Sequence, residues 1–299
     1  MAAHIHLGSA PDSWGVWFAD DPKQTRWERF LDELVVAGYE WFELGPYGYL
    51  PTDASRLREE VGKRGLKVSG GTVFGALHDD KSWEADVAAA RQVAELIRAL
   101  DARYLIYLPQ MYRDLDGNFL RPPTLEADEW RRLVRRASEM GRLMRDEYGI
   151  SLVFHSHADS HVATQDEVER FLDETDESAV SLCLDTGHIS YCGGDNLAII
   201  EDFPSRIGYV HLKQVDPKVI AQVDAEQLSF AEAVRRGAMC EPPAGIPDLA
   251  PLIEALRGIP TNLFAIVEQD LYPCPPDVPL PIATRTRTYL NSCGIGRSR

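Results

Sequence analysis

SLVFHSHADSHVATQDEVERFLDETDESAVSLCLDTGH, residues Ser151–His188, holds the pattern that decides the fold. It opens on a short apolar run, Ser151–Phe154, and closes on another, Val180–Leu184, each followed at once by imidazole or carboxylate side chains. Between them Val168, Phe171 and Leu172 take helical spacing behind Thr164, a predicted N-cap, with Glu167 three residues on completing a capping box. The reading is strand, crossover helix, strand. Runs this continuously apolar need helices over their outer side, so the strands are expected to be parallel and buried.

The same unit repeats in both directions. Upstream lie His4–Gly8, Trp41–Leu44, Leu66–Gly70 and Tyr104–Leu108; downstream lie Ile207–Leu212 and Leu263–Val267. Trp27, Phe30, Leu31, Leu34 and Val35 form one apolar stripe that ends at Gly38. Val87, Arg91, Ala94 and Ile97 belong to a helix running on to Leu100, and Trp130, Leu133, Val134, Ala137, Met140 and Leu143 to another closed by Gly149. Eight βα units predict an α/β protein, a (β/α)8 TIM barrel, with residues 1–299 as a single domain; such barrels run to about 250 residues. A doubly wound sheet is the rival, but it seldom needs eight parallel strands at this length. Gly70-Gly71 and Gly193-Gly194 lack the nucleotide-loop spacings and read as turns.

Composition narrows the function. Lys and Arg number 31 against 47 Asp and Glu, a formal charge of −16, which disfavours nucleic acid and anionic membranes as partners. No window approaches the roughly 18 unbroken apolar residues of a membrane span. The stretch Met1–His6 lacks a basic segment followed by an apolar one, so no signal peptide is expected. Five widely spaced cysteines with no C-x-x-C pair read as reduced thiols, core or incidental, and the expected location is cytoplasmic.

Active sites of such barrels lie where strands end, and polar residues gather there. The second run ends in Glu43, and the third leads through Thr72 to His78. The fifth ends His155-Ser156-His157, with Asp159 and His161 beyond. The sixth ends Asp185-Thr186-Gly187-His188. The seventh carries His211 and Lys213, two apart and so on one face, and the eighth ends in Glu268 with Asp270 following. Six of the eight histidines fall at or after a run's end. A lone one is more often structural, but convergence from four neighbouring strands suits a divalent first-row ion with mixed N/O ligands. Mn2+, Co2+, Fe2+, Zn2+ and Mg2+ all stay open on composition.

Each residue also has a plainer reading. Glu43 lines a site, or caps a loop or pairs an Arg. Asp185 and Glu268 follow apolar runs, where an unpaired carboxylate is costly, which favours a ligand role. His188 is placed in a loop and assigned to substrate. Lys213 is a salt-bridge partner, or a lysine of lowered pKa acting in proton transfer. The loop aromatics Trp14, Trp17, Phe18, Tyr47, Tyr49 and Phe74 either stack on a sugar or cyclitol ring or pack in the core.

Ala37-Gly38-Tyr39-Glu40, ELGPYGYLPTD at Glu43–Asp53, Arg64–Thr72, Phe154–His157, Cys183–His188, Val210–Lys213 and Val267–Asp270 together resemble the xylose-isomerase-like TIM-barrel superfamily of sugar isomerases and epimerases, nearest its inosose dehydratase branch. The resemblance implies a metal held by residues from the last four strands. Asp185, His211 and Glu268 match three slots, and His155 stands where the superfamily has a glutamate, with His157 nearby. Losing one of two facing glutamates breaks the symmetric acid–base pair of the epimerases, which favours elimination of water. A second departure is Ala244, where relatives often carry the acidic residue of an LGEG segment.

The expected function is therefore a metal-dependent lyase on a keto-cyclitol or keto-sugar such as inosose, through a metal-stabilised enediolate. Mn2+ or Co2+ is the foremost ion. Glu268 or a neighbouring His takes the proton, and Lys213 or His188 assists the leaving group. Glu43, Trp14, Trp17, Tyr47, Phe74, His78, His157 and His188 are the expected substrate contacts. An isomerase or epimerase on the same site, and a non-catalytic sugar-binding barrel, are the alternatives. The loop after the eighth run, Gln269–Pro276, has neither Gly nor a cation, so a neutral substrate is expected rather than a phosphate, with Arg113 and Arg121 the available cations. The segment from Gln214 to Pro247 is the expected lid or oligomer contact, a homo-oligomer being one outcome.

Overall fold

A computed structural model describes residues 4–296, so the first three residues of the Met1–His6 stretch lie outside the described residues. Eight parallel strands close into a barrel: β1 (Ile5–Ser9), β2 (Trp41–Glu43), β3 (Lys67–Gly75), β4 (Tyr104–Pro109), β5 (Ser151–His155), β6 (Val180–Asp185), β7 (Ile207–Leu212) and, after two short strands β8 (Gln214–Val215) and β9 (Met239–Cys240), β10 (Leu263–Val267). β10 pairs with both β7 and β1, which shuts the ring.

The helices that cover it are α1 (Trp27–Ala37), α2 (Ala54–Lys63), α3 (Trp83–Ala99), α4 (Ala127–Tyr148), α5 (Gln165–Glu174), α6 (Thr186–Tyr191), α7 (Asn196–Asp202), α8 (Pro217–Glu226), α9 (Phe230–Arg235), α10 (Leu249–Arg257) and α11 (Pro279–Ser292). Local chemistry sets their ends. Thr164 accepts from the Glu167 amide while Glu167 reaches back to the N-cap amide, and Gly38 and Gly149 take the left-handed conformation that closes α1 and α4. On α1, Phe30, Leu31 and Leu34 are buried, but Val35 faces solvent, so the apolar stripe is narrower than its spacing predicts.

β3 corrects two expectations. It runs to Gly75, so Thr72 and Phe74 are strand residues, and Gly70-Gly71 is strand rather than turn. A Cβ on Gly70 would sit 2.7 Å from the Tyr104 carbonyl oxygen, and one on Gly71 2.7 Å from Ile97 Cγ2 on α3. The glycines admit close approach of β4 and α3. Gly193 is a turn residue with φ of 78°, as expected.

The barrel interior is plugged by Ile106, Val153, Cys183, Tyr209 and Ile266. That layer is the base on which the polar mouth stands. Burial pushes the Cys183 thiol up to about 12, which fits an inert core cysteine.

Candidate metal centre and cavity

Register brings the polar tips together. Asp185 pairs with His211 across β6 and β7, His155 pairs with Cys183 on β6, and Glu268 follows β10 with its amide donating to the Leu212 carbonyl. One donor atom from each of His155, Asp185, His211 and Glu268 lies within 4.8 Å of the others, and all four residues are buried. Asp185 Oδ2 is 3.3 Å from His155 Nε2 and 3.7 Å from His211 Nδ1; Glu268 Oε2 is 3.1 Å from that same Nδ1.

The set fits a divalent ion. It is two imidazoles and two carboxylates, and His211 Nδ1 is buried with no hydrogen-bond partner among the described residues although two carboxylates face it. The other nitrogen of that ring, Nε2, is 3.1 Å from Glu43, whose second oxygen accepts from Thr72 Oγ1 at 2.6 Å. A carboxylate behind a ligating imidazole fixes its tautomer and aims its free lone pair. Glu43 is thus held as an orienting group as well as lining the cavity.

Lys213 is enclosed by Asp185, Glu268 and Asp270 at 3.2, 3.1 and 2.9 Å. Gly187 makes room for it, since a Cβ there would lie 2.5 Å from Lys213 Cγ. Burial opposes its charge, but Asp185, Asp270 and Glu268 outweigh burial and hold the ammonium well above the usual lysine range. Of the two readings open from sequence, the salt-bridge partner matches this geometry and the lowered pKa does not. Burial likewise raises Asp185 and Glu268, yet Lys213 and the imidazoles pull both below the usual carboxylate range. His211 is pushed up, its desolvation overcome by Cys183, Glu268 and Glu43.

His188 is not in a loop. It sits on α6, capped by Asp185, whose Oδ1 accepts from the His188 amide at 2.8 Å. Its Nδ1 accepts from the Ala158 amide, so a neutral ring carries its hydrogen on Nε2. His157 is the reverse: Nδ1 donates to the Ala158 carbonyl at 2.6 Å, leaving Nε2 as an acceptor. Burial and His155 lower His157 to about 3, and burial and His157 lower His188 strongly, so both rings stay neutral.

These groups floor a cavity of about 440 Å3 that Trp17, Glu43, Phe74, His155, His157 and His188 all line. Four other candidate contacts lie elsewhere. Trp14 is fully buried, its Nε1 donating to Glu33 at 2.8 Å, because the turn at Pro11–Trp14 folds the indole under α1. Tyr49 is buried and donates to the Thr25 carbonyl, and Tyr47 lies beside a separate shallow depression. His78 packs edge-on against His161 behind the β3–β5 wall, 4.8 Å between ring centres.

Asp159, read beyond the fifth run's end, lines the cavity; Asp12 and Phe230 line it too, and neither of these two stands out as a site residue from sequence. Asp12 stands in the turn directly after β1. With that strand expected to end one residue early, at Gly8, Asp12 does not register as a strand-end residue. Burial, then Glu268 and Asp270, push its carboxyl well above the usual range. Phe230 begins α9 in the Gln214–Pro247 insertion, too far along the chain from any strand end to be read.

Fold and site together define a class: parallel α/β barrels whose C-terminal mouth carries a buried imidazole–carboxylate centre. The chain belongs to the xylose isomerase-like TIM barrel family, whose model matches residues 31–282. It is 30% identical to the inosose dehydratase of Lacticaseibacillus casei over 96% of this chain and 97% of that one. Against the inosose dehydratase of Clostridium perfringens (strain 13 / Type A) identity is 28%, with 96% and 97% covered. Among solved structures it resembles an IolI protein with a bound zinc atom, TM-score 0.75 at 15% identity, covering 98% of this chain and all of that one.

Proposed function

We propose that the chain is a metal-dependent dehydratase acting on a keto-cyclitol or keto-sugar such as inosose. The observation that carries this reading is the convergence of His155, Asp185, His211 and Glu268 at the base of a cavity that also holds a buried Lys213. These four would hold the ion, with Mn2+ or Co2+ proposed. Such an ion polarises a carbonyl and stabilises negative charge that develops beside it.

The chain's own groups supply the proton chemistry. Glu268, kept ionised by His211 and Lys213, takes the proton from the carbon next to the carbonyl. His157 Nε2, a free acceptor, is the neighbouring imidazole that can share that task. The Lys213 ammonium, 3.1 Å from Glu268, and the His188 Nε2–H beside it donate to the departing hydroxyl. The arrangement is asymmetric, with acceptors and donors on different residues, which suits loss of water rather than return of a proton to the opposite face.

Charge supports a neutral substrate. Lys213 is surrounded by carboxylates, Arg113 donates to the Gln227 carbonyl and lies over Phe119, and Arg121 pairs with Asp79 and Glu129. Lys213 and Arg121 are neutralised by their carboxylates; Arg113 lines the cavity with a buried Nε that has no partner among the described residues, so the neutral reading rests on the other two. Among the described residues no helix is long and apolar enough to cross a membrane, and five free cysteines fit the cytoplasm we propose.

The test is turnover of inosose followed by NMR in D2O, before and after chelation. The expected result is loss of water, reduced at least about 100-fold in stripped protein and restored by Mn2+ or Co2+. Full activity without metal overturns the reading, and retained mass with deuterium at the α-carbon replaces it with isomerisation.

A further inference from the structure

The cavity has two chemistries stacked one above the other. Its floor is the imidazole, carboxylate and ammonium cluster. Its upper walls are apolar: Phe74 and Leu108, side by side in register on β3 and β4, with Leu115 beyond them, and across the mouth Trp17, Phe18 and Phe230. Phe74, Leu115 and Phe18 are 47%, 39% and 37% exposed, three of the larger apolar side chains left open to solvent. Clustered exposure of this kind marks a surface that something apolar covers.

Most polar groups near the rim are already engaged, the Arg113 Nε excepted. Asp159 accepts from the Phe230 amide at 2.7 Å, Asp114 holds Asn118, and the Trp17 indole N–H donates to Asp270. Trp17 is fixed in place, stacked on Tyr272 at 5.1 Å between ring centres and on Phe230 at 6.4 Å. The walls are thus rigid and offer few partners to hydroxyl groups. A free cyclitol carries oxygen on every carbon, and hydroxyls buried against such walls would go unpaired, which weakens binding. The volume also exceeds what one such ring fills, since pockets above about 300 Å3 take drug-sized ligands.

We infer that the upper cavity is an aglycone subsite: the substrate is a keto-sugar bearing an apolar, aromatic substituent, its ring on the floor and its substituent between Phe74 and Trp17. This rests on the proposed reading of the floor as a keto-sugar site. Aromatic groups gain both from burial and from offset or edge contacts with rings already held in place.

Binding of methyl and phenyl β-glucosides to Mn2+-loaded protein, followed by calorimetry, tests it; neither has a ketone, so neither turns over. The phenyl glucoside is expected to bind at least about tenfold tighter than the methyl one, and Phe74→Ala to cut that ratio to about threefold or less. Phe74 is half exposed, so its truncation leaves the core packed, and Phe230→Ala is the second probe of the same ratio. Equal affinity of the two glucosides, or a phenyl preference untouched by both substitutions, overturns the inference. If inosose is dehydrated without any phenyl preference, the lyase reading stands and the subsite falls. If phenyl binds preferentially but no keto-sugar loses water, the subsite stands and the lyase reading falls.

Discussion

Two groups of buried histidines, built at similar ring spacing, behave in opposite ways. His155 and His211 lie 5.0 Å apart at the barrel mouth, and His78 and His161 lie 4.8 Å apart behind the β3–β5 wall. Burial disfavours charge on His211 and on His78 alike. At the mouth, carboxylates face the ring nitrogens: Asp185 on His155, and Glu43 and Glu268 on His211. Behind the wall the His161 ring bonds to the Pro122 carbonyl, and burial and the neighbouring ring lower His78 to about 4. Burial and contact alone make a histidine structural. Facing carboxylates make it a candidate ligand.

The comparison can be broken most decisively at the floor. Asp185→Asn removes a charge that both a bound cation and Lys213 need, and we expect loss of stoichiometric metal and at least about a thousandfold loss of activity, read by metal analysis and turnover. A milder break is Glu43→Gln, which keeps the shape but weakens the orientation of His211; metal affinity is expected to fall about 10–100-fold, measured by competition with a chelating dye.

The His78 pair sharpens the contrast from the other side. His78→Gln is expected to leave turnover within a few-fold while changing how stability varies with pH. The unfolded chain takes up a proton near pH 6.5 and the native ring only near 4, so the native protein loses stability as pH falls between those values. The substitution is expected to flatten that part of the curve in chemical denaturation, and an unchanged slope would show that His78 is not its source. The smallest effect is expected at Trp14→Phe, which loses one buried hydrogen bond to Glu33: about 1 kcal/mol of stability with activity unchanged, against a clear loss of phenyl glucoside affinity for Trp17→Ala.

Much of this architecture is legible in the chain itself. Periodicity locates all eight barrel strands, β7 and β10 to the residue, and the capping box at Thr164 marks the start of α5. Strand-end logic picks out His155, Asp185, His211 and Glu268. It fails where direction matters: Trp14 and Trp17 are three residues apart in one loop, yet one is sealed under α1 and the other walls the cavity. It fails again at His78, because β3 runs five residues past its expected end and carries Phe74, not His78, to the mouth.

The barrel, the series of strand-end donors and the lack of a cation after the last strand all follow from residue order, because period, composition and charge are local properties of a chain. Folding in three dimensions was needed to bring particular donors to one point, to enclose Lys213 among three carboxylates, and to set a polar floor beneath an apolar mouth. Those features depend on register between strands distant in sequence and on insertions such as the one bearing Phe230. Neighbours made by folding set the charge state of each group, and they cannot be read from the segment that carries it.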